Sequence, residues 1–235
     1  MKKILIFTAT YNEAENISSF IEKVLGLNLN LDLLIVDDNS PDLTWTIIEK
    51  YMTSNQNIRL IKRKKKEGLN TAHKLGFDYA KKNNYDIFIT LDADLSHDPG
   101  MLPTFLEKLN EYEFVIGSRY MKGGSNQMGF FRNLLSFLGN KLIKLILGIN
   151  IDEFTTSYRG FNLRLLKNFD LNEVSLNGYS FFMGTINLLN ITGNKIEQIP
   201  ITFQDRTRGK SKIPKNEILR TLVNLFLLKM KIIKK

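Results

Sequence analysis

The 235-residue chain contains no cysteine. Disulfides, thiolate zinc sites and a cysteine nucleophile are therefore excluded, and a reducing cytoplasm suits the composition. There is no uninterrupted apolar run of about 18 to 20 residues, so no spanning helix is expected. The N-terminus, Met1-Lys2-Lys3-Ile4-Leu5-Ile6-Phe7, starts like a signal peptide. Its apolar run is too short and passes at once into Thr8-Ala9-Thr10-Tyr11-Asn12-Glu13, which favours a first β-strand. No G-x-G-x-x-G follows that strand and no G-x-x-x-x-G-K-[ST] occurs anywhere, so neither common glycine loop holds a nucleotide. Internal repeats and low-complexity tracts are absent as well.

What remains is an ordinary globular composition, 43% hydrophobic and 24% charged, long enough for one sizeable core with an appendage. The net charge of +9 suits an anionic partner: nucleic acid, a membrane surface or a phosphorylated substrate. Part of the excess is local, in Lys62-Arg63-Lys64-Lys65-Lys66 and in the lysines that close the chain.

Apolar runs at Ile4 to Phe7, Leu33 to Val36, Ile58 to Ile61, Ile87 to Thr90 and Phe114 to Ser118 read as buried strands. Helical spacing predicts helices between them, the first from about Glu13 to Leu25 with Asn12 as its cap, the fourth opened by Pro99. This alternation implies a mostly parallel, doubly wound α/β sheet. Past Tyr120 it breaks: helices are expected from Phe131 to Leu147, from Gly178 to Ile191 and from Pro214 to Ile233, with a strand through Ile199, Ile201 and Phe203. The domain division expected is 1–213 for the α/β unit and 214–235 for a basic amphipathic helix.

Polar clusters follow the strands. Thr10-Tyr11-Asn12-Glu13 comes after the first, Asp37-Asp38-Asn39-Ser40 after the second, and Asp92-Ala93-Asp94 after the fourth. In such sheets ligands bind at the carboxyl ends of the strands, and a carboxylate after the second strand is placed to accept from ribose hydroxyls. Two acids at D-x-D spacing can hold a hard divalent cation through oxygen, and the cation can neutralise a diphosphate. His97 beside them is either a ligand or a loop cap, His73 reads as structural, and Trp45 as packing.

These segments, with Gly117-Ser118-Arg119-Tyr120, Gly68-Leu69-Asn70-Thr71-Ala72 and Pro200 through Lys212, resemble the family 2 glycosyltransferases of GT-A fold. More narrowly they are similar to polyprenol (dolichol) phosphate mannosyltransferases. The resemblance implies a GT-A sheet with helices on both faces and a C-terminal amphipathic helix. It implies an inverting, metal-dependent transfer of a hexose, mannose from GDP-mannose, to polyprenyl phosphate. Thr10, Tyr11, Glu13 and Asp37 would then hold the nucleoside, with Ala93, Arg206 and Lys212 also on the nucleotide sugar. Asp92 and Asp94 would hold Mg2+ or Mn2+, and Asp94 and Arg119 would be catalytic. Arg119, Arg132 and Ser136 would grip the lipid phosphate, and Arg206, Ser211 and Lys212 would lie on a loop closing over the diphosphate.

The chain departs from the family pattern at Thr156-Ser157-Tyr158-Arg159-Gly160-Phe161, and at Phe181-Phe182-Met183-Gly184 where Phe-Gln-x-Glu is common. Another sugar such as glucose, or a glycan acceptor, therefore stays open beside mannose. A basic nucleic-acid-binding module is the non-enzymatic alternative, disfavoured because acidic strand ends interleave with the lysines. No nucleic-acid partner is expected. The lipid acceptor implies peripheral attachment at the cytoplasmic face of a membrane, through Phe130 to Ile149 and Ile218 to Lys235, and the last helix also offers a surface for a homo-oligomer.

Overall fold

The computed structural model describes residues 2–205 and 217–230. The first half alternates β1 (Ile4–Thr10), α1 (Ile17–Leu25), β2 (Asp32–Asp37), α2 (Thr44–Ser54), β3 (Ile58–Lys62), α3 (Leu69–Lys82), β4 (Ile87–Thr90), α4 (Leu102–Lys108) and β5 (Phe114–Ser118). The second half holds β6 (Ser125–Asn126), α5 (Phe130–Leu147), β7 (Arg159–Asn162), α6 (Tyr179–Ile191), β8 (Ile196–Pro200), β9 (Thr202–Phe203) and α7 (Glu217–Lys229).

One seven-stranded sheet runs β3-β2-β1-β4-β7-β5-β8, and β6 pairs with β9 apart from it. All neighbours in the large sheet are parallel except β7, which is antiparallel to both β4 and β5. Parallel strands covered on both faces read as continuous apolar runs, and these do. Successive residues of β1 feed opposite cores: Leu5 and Phe7 pack with α3, α6 and α7, while Ile6 packs with α1, α2 and α4. Gly76 lets α3 lie directly on β1, since a Cβ there would come within 2.4 Å of the Phe7 ring.

Four expectations change. The first helix starts at Ile17, not near Glu13. Asn12 has a left-handed φ of 58° and donates its N–H to Ser40 Oγ, so it belongs to the loop, while a turn on the Glu13 carbonyl carries the chain into the helix. Pro99 opens a short 3₁₀ turn capped by Asp98 Oδ1, and α4 follows from Leu102. The strand through Ile199 and Phe203 divides at Ile201, β8 joining the large sheet and β9 pairing with β6. Strand β7 was not anticipated, because Arg159-Gly160-Phe161-Asn162 carries neither an apolar run nor alternation.

Candidate active site

The parallel strands all end on one edge, and the antiparallel β7 begins there. Strands β1 to β3 build outward in one direction, and β4 then lies on the other side of β1. Strand order thus reverses between β1 and β4, which is where ligands bind in open α/β sheets. The loop after β1 carries Tyr11 and Glu13, and the loop after β4 carries Asp92 and Asp94, so the two flank this crevice.

At the ends of β1 and β2 the two loops brace each other. Asp37 is fully buried. Its carboxylate accepts from Thr10 Oγ1 at 2.8 Å, from Ser40 Oγ at 2.6 Å and from Ser40 N at 2.8 Å. Asp42 accepts from Ala14 N at 2.9 Å and from Thr44 Oγ1 at 2.6 Å, and Thr44 Oγ1 accepts from Glu13 N at 3.0 Å. Asp38 pairs with Arg63, whose guanidinium also reaches Thr71 Oγ1 and the Gly68 carbonyl, tying β2 to the loop before α3. Lys66 Nζ lies 4.1 Å from the centre of the Tyr11 ring, a cation–π contact at the mouth of the site. Thr10 and Asp37 are thus brought together, with Tyr11 and Glu13 on the same loop and partly exposed.

The D-x-D segment is held from two sides. Asp94 is 4% exposed, and its Oδ1 accepts from Ser96 N at 3.0 Å and Ser96 Oγ at 2.6 Å. Asp92 has a side chain 34% exposed and accepts from Ser157 Oγ at 2.6 Å. Ala93 between them is buried. His97 Nδ1 lies 3.3 Å from Asp92 N, which donates to it. The ring proton is therefore assigned to Nε2, which donates to Thr156 Oγ1 at 3.0 Å. Burial pushes the His97 imidazole below its usual value, and Arg119 adds to this against the opposing pull of Asp92 and Asp94. Both ring nitrogens are thus engaged in bracing the loop. Among the described residues no third acid or histidine joins the aspartates to complete a cage. Two carboxylates with water and substrate oxygens filling the other positions is the donor set that suits a hard divalent cation on a diphosphate.

Across the crevice, Arg119 follows β5. Its Nε donates to Glu153 Oε2 at 2.7 Å and its Nη2 to Glu153 Oε1 at 2.8 Å and Thr155 Oγ1 at 2.9 Å. Burial pushes Glu153 up, but the Arg119 charge and the bonds from Arg119 and Thr155 outweigh it and leave the carboxyl below its ordinary value. Arg132, Ser136 and Asn140 recur every four residues on α5 and share one face. Asn140 Oδ1 accepts from Phe154 N at 2.7 Å, and its Nδ2 lies 3.4 Å from Thr155 Oγ1. That face therefore meets the loop that holds Arg119. Arg132, further along it, is half-exposed and 3.6 Å from Asp205. Arg206, Ser211 and Lys212 lie outside the described residues, as does the 213/214 division.

The departures from the family pattern are interior residues. Phe181, Phe182 and Met183 are buried, and a Cβ at Gly184 would meet Leu176 Cδ1 and Val174 Cγ1 at 3.0 Å. Arg159 is buried too, donating to the carbonyls of Phe154, Thr156 and Phe182 with its guanidinium 4.7 Å from the Phe182 ring. The residues that sequence reasoning passed over are Glu153 and Asn140, and it left Asp38 and Arg63 inside a polar cluster and a basic run without pairing them. Each meets a partner distant in sequence, which no local pattern announces.

A model of glycosyl transferase family 2 matches residues 5–169 of the chain. The chain belongs to glycosyl transferase family 2. It is 30% identical over 224 residues to an undecaprenyl-phosphate mannosyltransferase of Micrococcus luteus, covering 95% of this chain and 92% of that protein. It is 32% identical over 221 residues to a polyprenol monophosphomannose synthase of Mycolicibacterium smegmatis, covering 92% and 83%. In fold it is similar to a mannosyltransferase from Pyrobaculum calidifontis solved with GDP-Man and Mn2+, at a TM-score of 0.59 and 15% identity. That match covers 97% of this chain, which spans 64% of the longer protein. The α/β architecture is of GT-A type.

Proposed function

We propose that this family 2 transferase moves mannose from GDP-mannose to a polyprenyl phosphate, with inversion at the sugar and a divalent cation on the donor. One observation carries the reading. The loop from Glu153 to Ser157 grips Arg119 at one end and Asp92 at the other. The carboxylate that would hold the cation and the guanidinium that would hold the acceptor phosphate are thus tied to one five-residue loop. The names of the relatives support the lipid acceptor, and the GDP-Man and Mn2+ in the structural neighbour support the donor and the metal.

Asp92 and Asp94 would hold the cation, Mg2+ or Mn2+, which when bound neutralises charge on the departing diphosphate. The acceptor phosphate is already ionised near neutral pH, so no general base is needed. Arg119 and Arg132, with Ser136, align one phosphate oxygen on the anomeric carbon. That oxygen attacks from the face opposite the diphosphate. The new C–O bond forms as the bond to the diphosphate breaks, and the electron pair leaves with GDP. Alignment and charge neutralisation supply the catalysis. The Tyr11 loop and the Asp37-braced turn would cradle the nucleoside. The lipid would reach Arg132 along the exposed apolar face of α5, placing the enzyme peripherally at the cytoplasmic face of a membrane.

The test is incubation of the full chain with polyprenyl phosphate and Mn2+ or Mg2+ against GDP-mannose, UDP-glucose and UDP-GlcNAc, with mass spectrometry of the lipid. A hexosyl phosphate lipid formed from GDP-mannose alone is expected. Transfer from UDP-glucose alone would move the assignment to glucose. Donor hydrolysis with unmodified lipid would remove the acceptor.

A further inference from the structure

We propose that Glu153 is a positioning residue, which sets the plane of the Arg119 guanidinium so that it meets the acceptor phosphate. The inference rests on the acceptor reading above. Glu153 is fully buried at the carboxyl edge of the sheet, where an acid without a role is costly. It takes the Nε–Nη2 edge of Arg119 in a bidentate pair at 2.7 and 2.8 Å. That geometry fixes both the direction and the rotation of the planar group, which one hydrogen bond would not. The carboxylate is itself fixed, accepting from Thr155 N at 3.0 Å, Thr155 Oγ1 at 2.8 Å and Thr156 N at 3.2 Å. The same loop is anchored to α5 through Asn140 and Phe154 N and to β4 through Thr90 Oγ1, which donates to the Ser157 carbonyl at 2.5 Å. Arg119 is thereby held to the scaffold through Glu153, with the rings of Tyr120 and Phe203 within 5.1 and 5.2 Å of its guanidinium carbon. An arginine fixed in this way loses little freedom when a phosphate arrives.

Steady-state kinetics of the full chain, with polyprenyl phosphate and GDP-mannose each varied in turn, test this. Glu153→Gln keeps the size and one acceptor oxygen but removes the charge that holds both bonds. It should raise the acceptor KM at least tenfold and leave the donor KM within twofold, a split that loss of fold alone does not produce. Glu153→Asp, which keeps the charge on a shorter arm, should recover part of the loss. Thr155→Val leaves both charges in place and removes the hydroxyl that touches Arg119 and Glu153. It should shift the acceptor KM in the same direction by about threefold, and it serves if the glutamine variant does not fold. Arg132→Ala, at a half-exposed position near the start of α5, tests the acceptor reading by itself. If Arg132→Ala raises the acceptor KM and neither Glu153→Gln nor Thr155→Val does, positioning by Glu153 is overturned and the acceptor reading stands. If none of the three raises it, the acceptor reading fails and takes the inference with it. A fall in acceptor KM for Glu153→Gln would show that Glu153 competes with the phosphate, and would also overturn the proposal.

Discussion

Asp92 and Asp94 stand two residues apart yet sit in different surroundings. Asp94 is nearly enclosed, with Ser96 on one oxygen, while a third of the Asp92 side chain is open and Ser157 orients it. Asparagine at either position keeps an acceptor oxygen for the serine and loses the charge for a cation. We expect Asp94→Asn to lower Mn2+-dependent turnover by about a hundredfold or more, the scale seen when one electrostatic stabiliser is removed. Asp92→Asn should be milder, and both should melt near the parent temperature. Turnover against Mn2+ concentration, with calorimetric Mn2+ binding to each variant, checks this, and parental Mn2+ affinity in Asp94→Asn would end the metal assignment. These aspartates were legible in the sequence because D-x-D at a strand end is local. Glu153 was not, since Arg119 lies 34 residues away and only the pairing of β5 with β7 brings the two together. Asp37 was expected to meet ribose hydroxyls, whereas its inward turn onto Thr10 and Ser40 could be read only with the neighbouring loop in place.

At the scale of elements, periodicity located the strands of the parallel sheet and most of the helices, because each buries an apolar face and so repeats at its own period. It missed β7, whose strand character comes from two flanking strands rather than from its own residues. Between β1, α3 and α6 a histidine performs packing that an aromatic ring would normally do. His73 meets Phe7 edge-on at 5.1 Å and Phe182 at 5.2 Å. Burial pulls its imidazole down to about 3, with the Arg159 charge adding to the effect. The sign follows directly. Below about pH 6.5 the unfolded chain takes up a proton at this position that the folded chain refuses, so stability is complete above pH 6.5 and falls as the pH drops toward 3. A proton refused by the folded chain costs up to about 1.4 kcal/mol per pH unit, and His97 is shifted in the same direction. His73→Phe should therefore flatten the loss between pH 6 and pH 4 by about that slope, read from urea midpoints across the range. A variant whose curve runs parallel to the parent would show that His73 is protonated in the folded protein.

On the scale of the molecule, the sequence announced a basic protein with two leucine-rich segments but not whether their apolar faces turn inward. The structure divides them. Ile143 of α5 and Leu225 and Leu228 of α7 enter the core. Phe130, Phe131, Leu135, Leu138 and Leu145 of α5 stay exposed, Phe131 at 83%, with Leu219, Val223, Phe226 and Met230 exposed on or just beyond α7. The two helices pack together, and each keeps a set of exposed apolar residues larger than scattered surface residues account for. Among the described residues no helix is long and apolar enough to cross a membrane. The net charge of +9, with Arg132 and Lys141 along α5, adds attraction to anionic lipid, about 1 kcal/mol for each cation near the surface. On the proposed reading α5 would lie in the interface, its apolar side chains out of water and Arg132 at headgroup depth. Phe131→Asp with Leu135→Asp should then lower flotation with phosphatidylglycerol vesicles at least tenfold, since each apolar side chain returned to water costs about 1.5 to 3 kcal/mol. High salt should weaken binding of the parent without abolishing it, because the apolar share is not screened. Turnover of a short, water-soluble polyprenyl phosphate should change far less than turnover of a long acceptor in vesicles, because only the long one has to be met at the bilayer. A double variant that floats as well as the parent would show that something other than lipid covers this face.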